Sequence, residues 1–379
     1  MEHDSLDDEV VEYENDADLP FVNSRNESAV GSHPDVDYAI RVRPEDPEKK
    51  VVVKKTIRIK HEDTMPLETS KVTCQREAKI MRAARHAHTI EVIATYFYKP
   101  PTEPNILNFY IVMANAERGD LSKFLGSDSL NFKLNERWIG CLIRVVAYIH
   151  RLGIRHRDIK PPNILVNAKN EVLLADFGIS KMSLGKTVPT TMPGWNKPRT
   201  PSYCAPEVDE APGRTRGRSA DIFSLGAVIL EMLLSLFHSA DYKELVHIVG
   251  TGANRSYARN INKVHDFLDK RIATRGQHAE MFELCRKMLD NNRDQRPQAD
   301  TIESQWLSGS LMSVNDQLQC STCDQSIPVT KEHNLVEACR NDWLGEVERL
   351  LISGAKASAT GAIHQAARCT TQPNMGMKE

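Results

Sequence analysis

The sequence predicts an α+β chain in which a small β-rich lobe precedes a larger helical one. Three observations predict it. Short β-branched and aromatic runs fill the stretch up to Met113, a Pro-rich turn (Lys99–Pro104) separates the last two of them, and helical periodicity takes over from Leu134. Phe21 to Lys60 reads as strands with turns, including the run Val51-Val52-Val53 that ends in Lys54-Lys55. Thr73 to Arg85 reads as a helix, because Cys74, Ala78 and Met81 recur at helical spacing. Ile90–Tyr98 and Asn108–Met113 read as two further strands. Ile139–Leu152, Ile222–Leu236 and Ala279–Leu289 are the clearest helices of the second lobe. A cleft between two such lobes is a natural ligand site.

Composition narrows the class. At 379 residues with 40% hydrophobic content, the chain is long enough for one large domain or two ordinary ones. A net charge of −2 gives no global field to attract nucleic acid or an anionic membrane, so neither is expected as a partner. Met1–Pro20 carries many acids and no lysine or arginine, the pattern of a solvated, disordered tail. The first residues are acidic where a secretory signal would be basic and then apolar, and no apolar run reads as a membrane span. Eight scattered cysteines suggest reduced thiols in the cytoplasm or nucleus. Cys320-x-x-Cys323 is a close pair, but no second ligand pair stands at finger or ribbon spacing, so the sequence reads it as two ordinary thiols.

The chemistry sits in His156-Arg157-Asp158-Ile159-Lys160-Pro161-Pro162-Asn163-Ile164-Leu165. Asp176-Phe177-Gly178 follows 13 residues after Asn163, behind the apolar run Val172–Ala175. Ala205-Pro206-Glu207 and Asn292–Pro297 lie further on. In this order and spacing the segments resemble the protein kinases of the serine/threonine type. The resemblance implies the two-lobed protein kinase fold over residues 21–308, with ATP and Mg2+ as cofactors and a protein as substrate. It implies that Asp158 receives the proton of the attacking hydroxyl. Lys160, the residue that serine/threonine members carry here, would neutralise phosphoryl charge. Asn163 and Asp176 would hold magnesium through hard oxygens. Glu207 would pair with Arg296, and Asp221 would brace the catalytic loop. Thr200 would bond Asp158 and Lys160.

In the small lobe, laying the family's V-A-I-K on Val51-Val52-Val53-Lys54 makes Lys54 the phosphate-holding lysine and Glu77 its partner, with Lys55 competing for the assignment. The resemblance places a gatekeeper at Met113, hinge groups at Ala114 to Ala116, a ribose contact at Asp120, and Val52 and Leu165 on either side of the base.

Two segments depart from the pattern. The phosphate-covering loop G-x-G-x-x-G-x-V aligns with Ala29–Val36 and keeps Gly31 as its one glycine of three, with Val36 as the final valine. Pro34 removes a donor and Asp35 adds negative charge, so a stiffer lid with weaker nucleotide binding is expected. Arg199 stands before Thr200 where the family carries glycine, and Asn196 occupies a common phosphate-accepting position. Thr187, Thr190 and Thr191 are the nearest upstream candidates for a phosphate that Arg157 would bind. These departures support an alternative reading, a pseudokinase or scaffold that binds proteins without catalysis.

Beyond Trp306-Leu307 the character changes. Residues 309–331 read as a polar linker, and 332–379 as a short α-helical segment that resembles an ankyrin repeat through Leu335–Cys339, Gly345–Ala355 and a second start at Ile363. The starts Leu335 and Ile363 lie 28 residues apart, against roughly 33 for the repeat, so a plain helical hairpin competes. A fragment this short buries too little by itself, and is expected to pack on the kinase, take a protein partner, or fray.

Overall fold

The computed structural model describes residues 10–23, 36–41, 51–60, 66–127, 134–177, 181–182, 201–209, 217–274, 276, 278–311 and 320–324. The ankyrin-like segment, Gly31, Gly178 and Thr200 lie outside them.

The first lobe is a six-stranded sheet. Its strands are β1 (Glu12–Tyr13), β2 (Phe21–Asn23), β3 (Val36–Arg41), β4 (Val51–Lys60), β5 (Val92–Tyr98) and β6 (Ile106–Ala114), in the order β1-β5-β6-β4-β3-β2. Helix α1 (Leu67–Ala83) connects β4 to β5. The long pairing of β4 with β6 runs from Val52↔Ala114 to Lys60↔Ile106. Side chains alternate along a strand, so β4 presents two faces. Ile57 and Ile59 enter the main core, whereas Val52 joins a separate outer cluster with Phe21, Ala39, Tyr96, Tyr98, Tyr110 and Val112.

That outer cluster corrects the expected boundary of the acidic tail. From Val10 onward the acidic segment is ordered on the lobe. β1 pairs in parallel with β5 at one edge of the sheet, and β2 pairs with β3 at the other. Between them Leu19 packs on the outer cluster and the Tyr98 hydroxyl bonds Asp16. Tyr13 meets Tyr96 edge-on at 5.5 Å and Phe21 stacks on it at 6.4 Å, contacts of about 0.5–1.5 kcal/mol each beyond their burial. Composition alone hid this, because the segment is held by its apolar residues Tyr13, Leu19 and Phe21 while its acids face outward.

The second lobe is helical. Helix α2 (Arg137–Arg151) leads to β7 (Ile154–Arg155), and then to the hairpin β8 (Ile164–Val166) and β9 (Val172–Leu174). β10 (Lys181–Met182) returns to pair with β7. There follow α3 (Pro206–Asp209), α4 (Arg218–Phe237), α5 (Ser239–Val249), α6 (Ile261–Ala273), α7 (Ala279–Met288) and α8 (Ala299–Leu307). Helix α4 is long and apolar enough to cross a membrane, but every residue from Ala220 to Leu234 is buried, which makes it the core helix of the lobe. Close approach at its middle requires glycine: a Cβ on Gly226 would sit 2.7 Å from Met288 Cβ. Trp306 of α8 is likewise buried over Gly140 of α2, closing the lobe.

A last short helix, α9 (Ser321–Asp324), corrects the reading of 309–331 as linker throughout. Cys323 is buried, its carbonyl accepts from Arg144 of α2 at 3.2 Å, and the Thr322 hydroxyl reaches Glu171 at 3.1 Å.

Candidate active site

The loop from His156 to Asn163 lies between β7 and β8, and its conformation is imposed by α4. Arg157 has φ 71°, a left-handed conformation that a side-chain-bearing residue adopts at a cost of about 1–3 kcal/mol. The compensation comes from Asp221, on α4. Its carboxylate accepts the His156 N–H at 2.9 Å, the Arg157 N–H at 2.7 Å and the His150 ring at 3.0 Å. Burial alone would raise the Asp221 pKa, but the His150 hydrogen bond, its charge and the Arg157 amide hold it below the usual carboxylate value. Replacing Asp221 by Asn should therefore cost about 1.5–3 kcal/mol, read as a fall in Tm of roughly 3–12 °C. A lowered folded-state pKa contributes stability above the unfolded value of about 4, and loses it as pH falls through the folded value. The gap between wild type and Asp221→Asn should accordingly be full near neutrality and close in acid. A gap independent of pH in thermal melts would refute the assignment.

On this frame sit the candidate site residues. Lys160 Nζ lies 2.7 Å from Asp158 Oδ2. Asn163 ends a short turn, Pro161–Asn163, whose prolines suit its first positions. Its amide nitrogen donates to Asp158 Oδ2 at 2.9 Å and to the Asp158 carbonyl at 2.8 Å, so the amide oxygen remains as a hard acceptor. The Ala175 N–H donates to the Asn163 carbonyl at 2.9 Å, which ties the loop to the strand end carrying Asp176. Asp176 has φ 61°, and Phe177 behind it is buried against the His156 ring at 4.8 Å. A small cavity lies between this loop and α4, lined by Asp158, Lys160, Tyr203, Cys204, Asp221 and Ser224.

Across the cleft, the structure corrects the lysine. Lys55 Nζ lies 2.7 Å from Asp176 Oδ1. Lys54 points the other way, 4.5 Å over the Tyr110 ring and opposite Asp37, and burial lowers its pKa. The physical reason is register: a shift of one residue flips every side chain of a strand to the other face. Val52 fails as a base contact for the same reason, because it lies in the outer cluster. Val53 and Leu165 are the residues that pack, half-buried, on the main-core side.

Of the remaining expected positions, Met113 is buried in the main core opposite Val53. The Ala114 N–H donates to the Glu91 carbonyl at 3.0 Å, and the Ala116 carbonyl accepts from Gly119 at 3.1 Å, so both hinge groups already have backbone partners. Asp120 Oδ1 accepts from the Ser122 N–H at 2.9 Å and caps the turn Leu121–Lys123. Glu77 lies on α1, with its side chain outside the described residues, and Val36 pairs with Lys55 in the β3–β4 register. The Glu207–Arg296 pair forms as the sequence implies, bidentate at 2.9 Å for each bond.

Residues 38–307 match the family described as Protein kinase domain, well over half of the chain. The chain belongs to the protein kinase family. Among its curated relatives, this kinase is 31% identical over 160 residues to mitogen-activated protein kinase 20 of Arabidopsis thaliana, covering 42% of this chain and 26% of that protein. It is 31% identical over 160 residues to mitogen-activated protein kinase 16 of Oryza sativa subsp. japonica, covering 42% of this chain and 31% of the relative. It is 28% identical over 158 residues to mitogen-activated protein kinase 8 of the same plant, covering 42% and 27%. The matched part of the kinase thus spans about a quarter to a third of the length of these relatives. The two-lobed architecture described above is the kinase fold.

Proposed function

We propose that this kinase transfers the γ-phosphoryl group of ATP to serine or threonine hydroxyls of proteins. The observation that carries the reading is the convergence of Asp158, Lys160 and Asn163 on one loop beside Asp176, which Lys55 reaches from across the cleft. Asp158 takes the proton of the attacking hydroxyl, or orients it, from its place on the loop between β7 and β8. Lys160, 2.7 Å from that carboxylate, neutralises charge on the phosphoryl group as it moves, and a lysine here favours serine or threonine over tyrosine. Lys55 supplies the positive charge for the α- and β-phosphates.

Magnesium fits the donor set. The Asp176 carboxylate and the Asn163 amide oxygen are hard oxygen ligands held together by the Ala175–Asn163 backbone bond. The ion would neutralise phosphate charge there. The eight scattered cysteines suit a reducing compartment, and so action in the cytoplasm or nucleus. The ankyrin-like segment remains a candidate docking element for a protein partner.

The deciding experiment supplies labelled Mg-ATP and generic protein substrates to the purified full chain, with phosphoamino-acid analysis of the product. Label on serine and threonine, lost in Asp158→Asn, is the expected result. Label on tyrosine would overturn the acceptor class. No label, with manganese or high nucleotide as well, would overturn catalysis in favour of a scaffold with a glycine-poor lid.

A further inference from the structure

Four side chains that the phosphoryl-transfer site does not use meet at one point on the opposite side of β9. His88, Cys141, Cys320 and Cys323 place their ligand atoms all within 4.8 Å of one another. They come from three distant parts of the chain: the turn after α1, the first half of α2, and the segment around α9. We infer that they form a structural zinc site of the Cys3His type, which fastens the segment beyond the kinase domain to the catalytic core.

The distances fit a tetrahedral ion. Zinc bonds of about 2.3 Å to sulfur and about 2.0 Å to nitrogen set ligand separations of about 3.8 Å for S···S and about 3.5 Å for S···N. Cys141 and Cys323 sulfurs lie 3.9 Å apart, and His88 Nε2 lies 3.3 Å from Cys320 Sγ. The Cys141–Cys323 separation is far from the roughly 2.05 Å of a disulfide.

The histidine is also prepared for its role. Its Nδ1 lies 2.7 Å from the Val172 carbonyl, a group that can only accept, so the proton resides on Nδ1. Nε2 therefore carries its lone pair toward the cysteines, the outer-shell arrangement that orients metal-binding imidazoles. His88, Cys141 and Cys323 are buried, as in a closed structural site where protein supplies all four ligands. Three thiolates and a nitrogen select zinc over the hard cations magnesium and calcium. Binding releases the thiol protons to solvent, and the resulting net charge of −1 sits beside Arg144, which donates to the Cys323 carbonyl at 3.2 Å.

The site is coupled to the active centre by backbone. The His88 carbonyl accepts from the Leu174 N–H at 2.8 Å, and the Ile90 N–H donates to the Leu174 carbonyl at 3.0 Å. Leu174 stands two residues before Asp176, so the metal would fix the strand that delivers that carboxylate.

The test is metal analysis of the full chain, purified in reducing buffer with zinc and then freed of loosely held ions. About one zinc per chain is expected. Cobalt exchanged into the protein should give the thiolate-to-cobalt charge-transfer and intense d–d bands of a tetrahedral sulfur-rich site. Cys320→Ser with Cys323→Ser, both outside the matched kinase domain, should abolish the stoichiometric metal, and His88→Cys should keep it with a shifted cobalt spectrum. Cys74→Ser, a buried cysteine elsewhere, serves as control and should retain one zinc. A chain without zinc or cobalt bands, a disulfide linking these cysteines in peptide maps, or equal metal loss in the Cys74→Ser control would each overturn the proposal. These readouts do not depend on kinase activity, so failure here leaves the phosphotransferase reading standing, and the converse.

Discussion

Asp158→Asn is expected to lower the rate of phosphate transfer by about 10²–10⁴ while leaving the protein folded. The argument rests on what the substitution keeps. Asparagine has the shape of the carboxylate and retains an acceptor oxygen for the Asn163 amide, which donates to Asp158 Oδ2 at 2.9 Å. It cannot take a proton from an attacking hydroxyl, and it abandons the ion pair with Lys160. That pair is partly exposed, 19% on one side chain and 26% on the other, so its loss costs roughly 0–1 kcal/mol. Thermal melts should therefore overlay within a few degrees, and nucleotide affinity should hold, because Asp176, Asn163 and Lys55 are untouched. The loss should fall on kcat in single-turnover measurements. A variant that keeps half its rate would remove Asp158 from the chemistry. One that melts far below wild type would mean that the carboxylate serves the loop's architecture instead.

How much of this was readable beforehand depends on whether a feature is local. The place of the loop from His156 to Asn163 was legible because its residues lie in one short segment, and the contacts of Asp221 and Arg296 were legible through the same family pattern. Helices such as α2 and α7 declared themselves by period. The lysine was legible too, had parity been weighed against the motif. Val53, Lys55, Ile57 and Ile59 share one face of β4, and two buried isoleucines fix which face that is. The ordering of residues 10–23 was hidden because sparse apolar anchors, Tyr13, Leu19 and Phe21, are separated by acids that dominate composition. The metal cluster had no sequence signal beyond Cys320-x-x-Cys323. Its other two ligands stand 53 residues apart, at 88 and 141, and only folding brings them to the pair.

The swapped lysine yields the sharpest contrast between two adjacent positions. Lys55→Met should lower transfer by about 10²–10³, the effect of removing one charge-stabilising donor. Lys54→Met should leave the rate within a few-fold. Both lysines are nearly buried, at 8% and 5% exposure, so burial does not separate them, but direction does. Lys55 reaches Asp176 at 2.7 Å, within the cleft, and methionine there removes the positive charge while its stem still fills the space. Lys54 lies over Tyr110 beside Asp37, on the far face, where methionine keeps the contact with the ring and forgoes a cation–π interaction of about 0.5–2 kcal/mol. Lys54→Met should thus appear in stability, and Lys55→Met in the rate and in nucleotide affinity. Steady-state kinetics with thermal melts on both variants decides it. If Lys54→Met lost the activity and Lys55→Met kept it, β4 would have to be shifted by one residue from the register Lys55↔Ile111, and every assignment on its two faces would reverse.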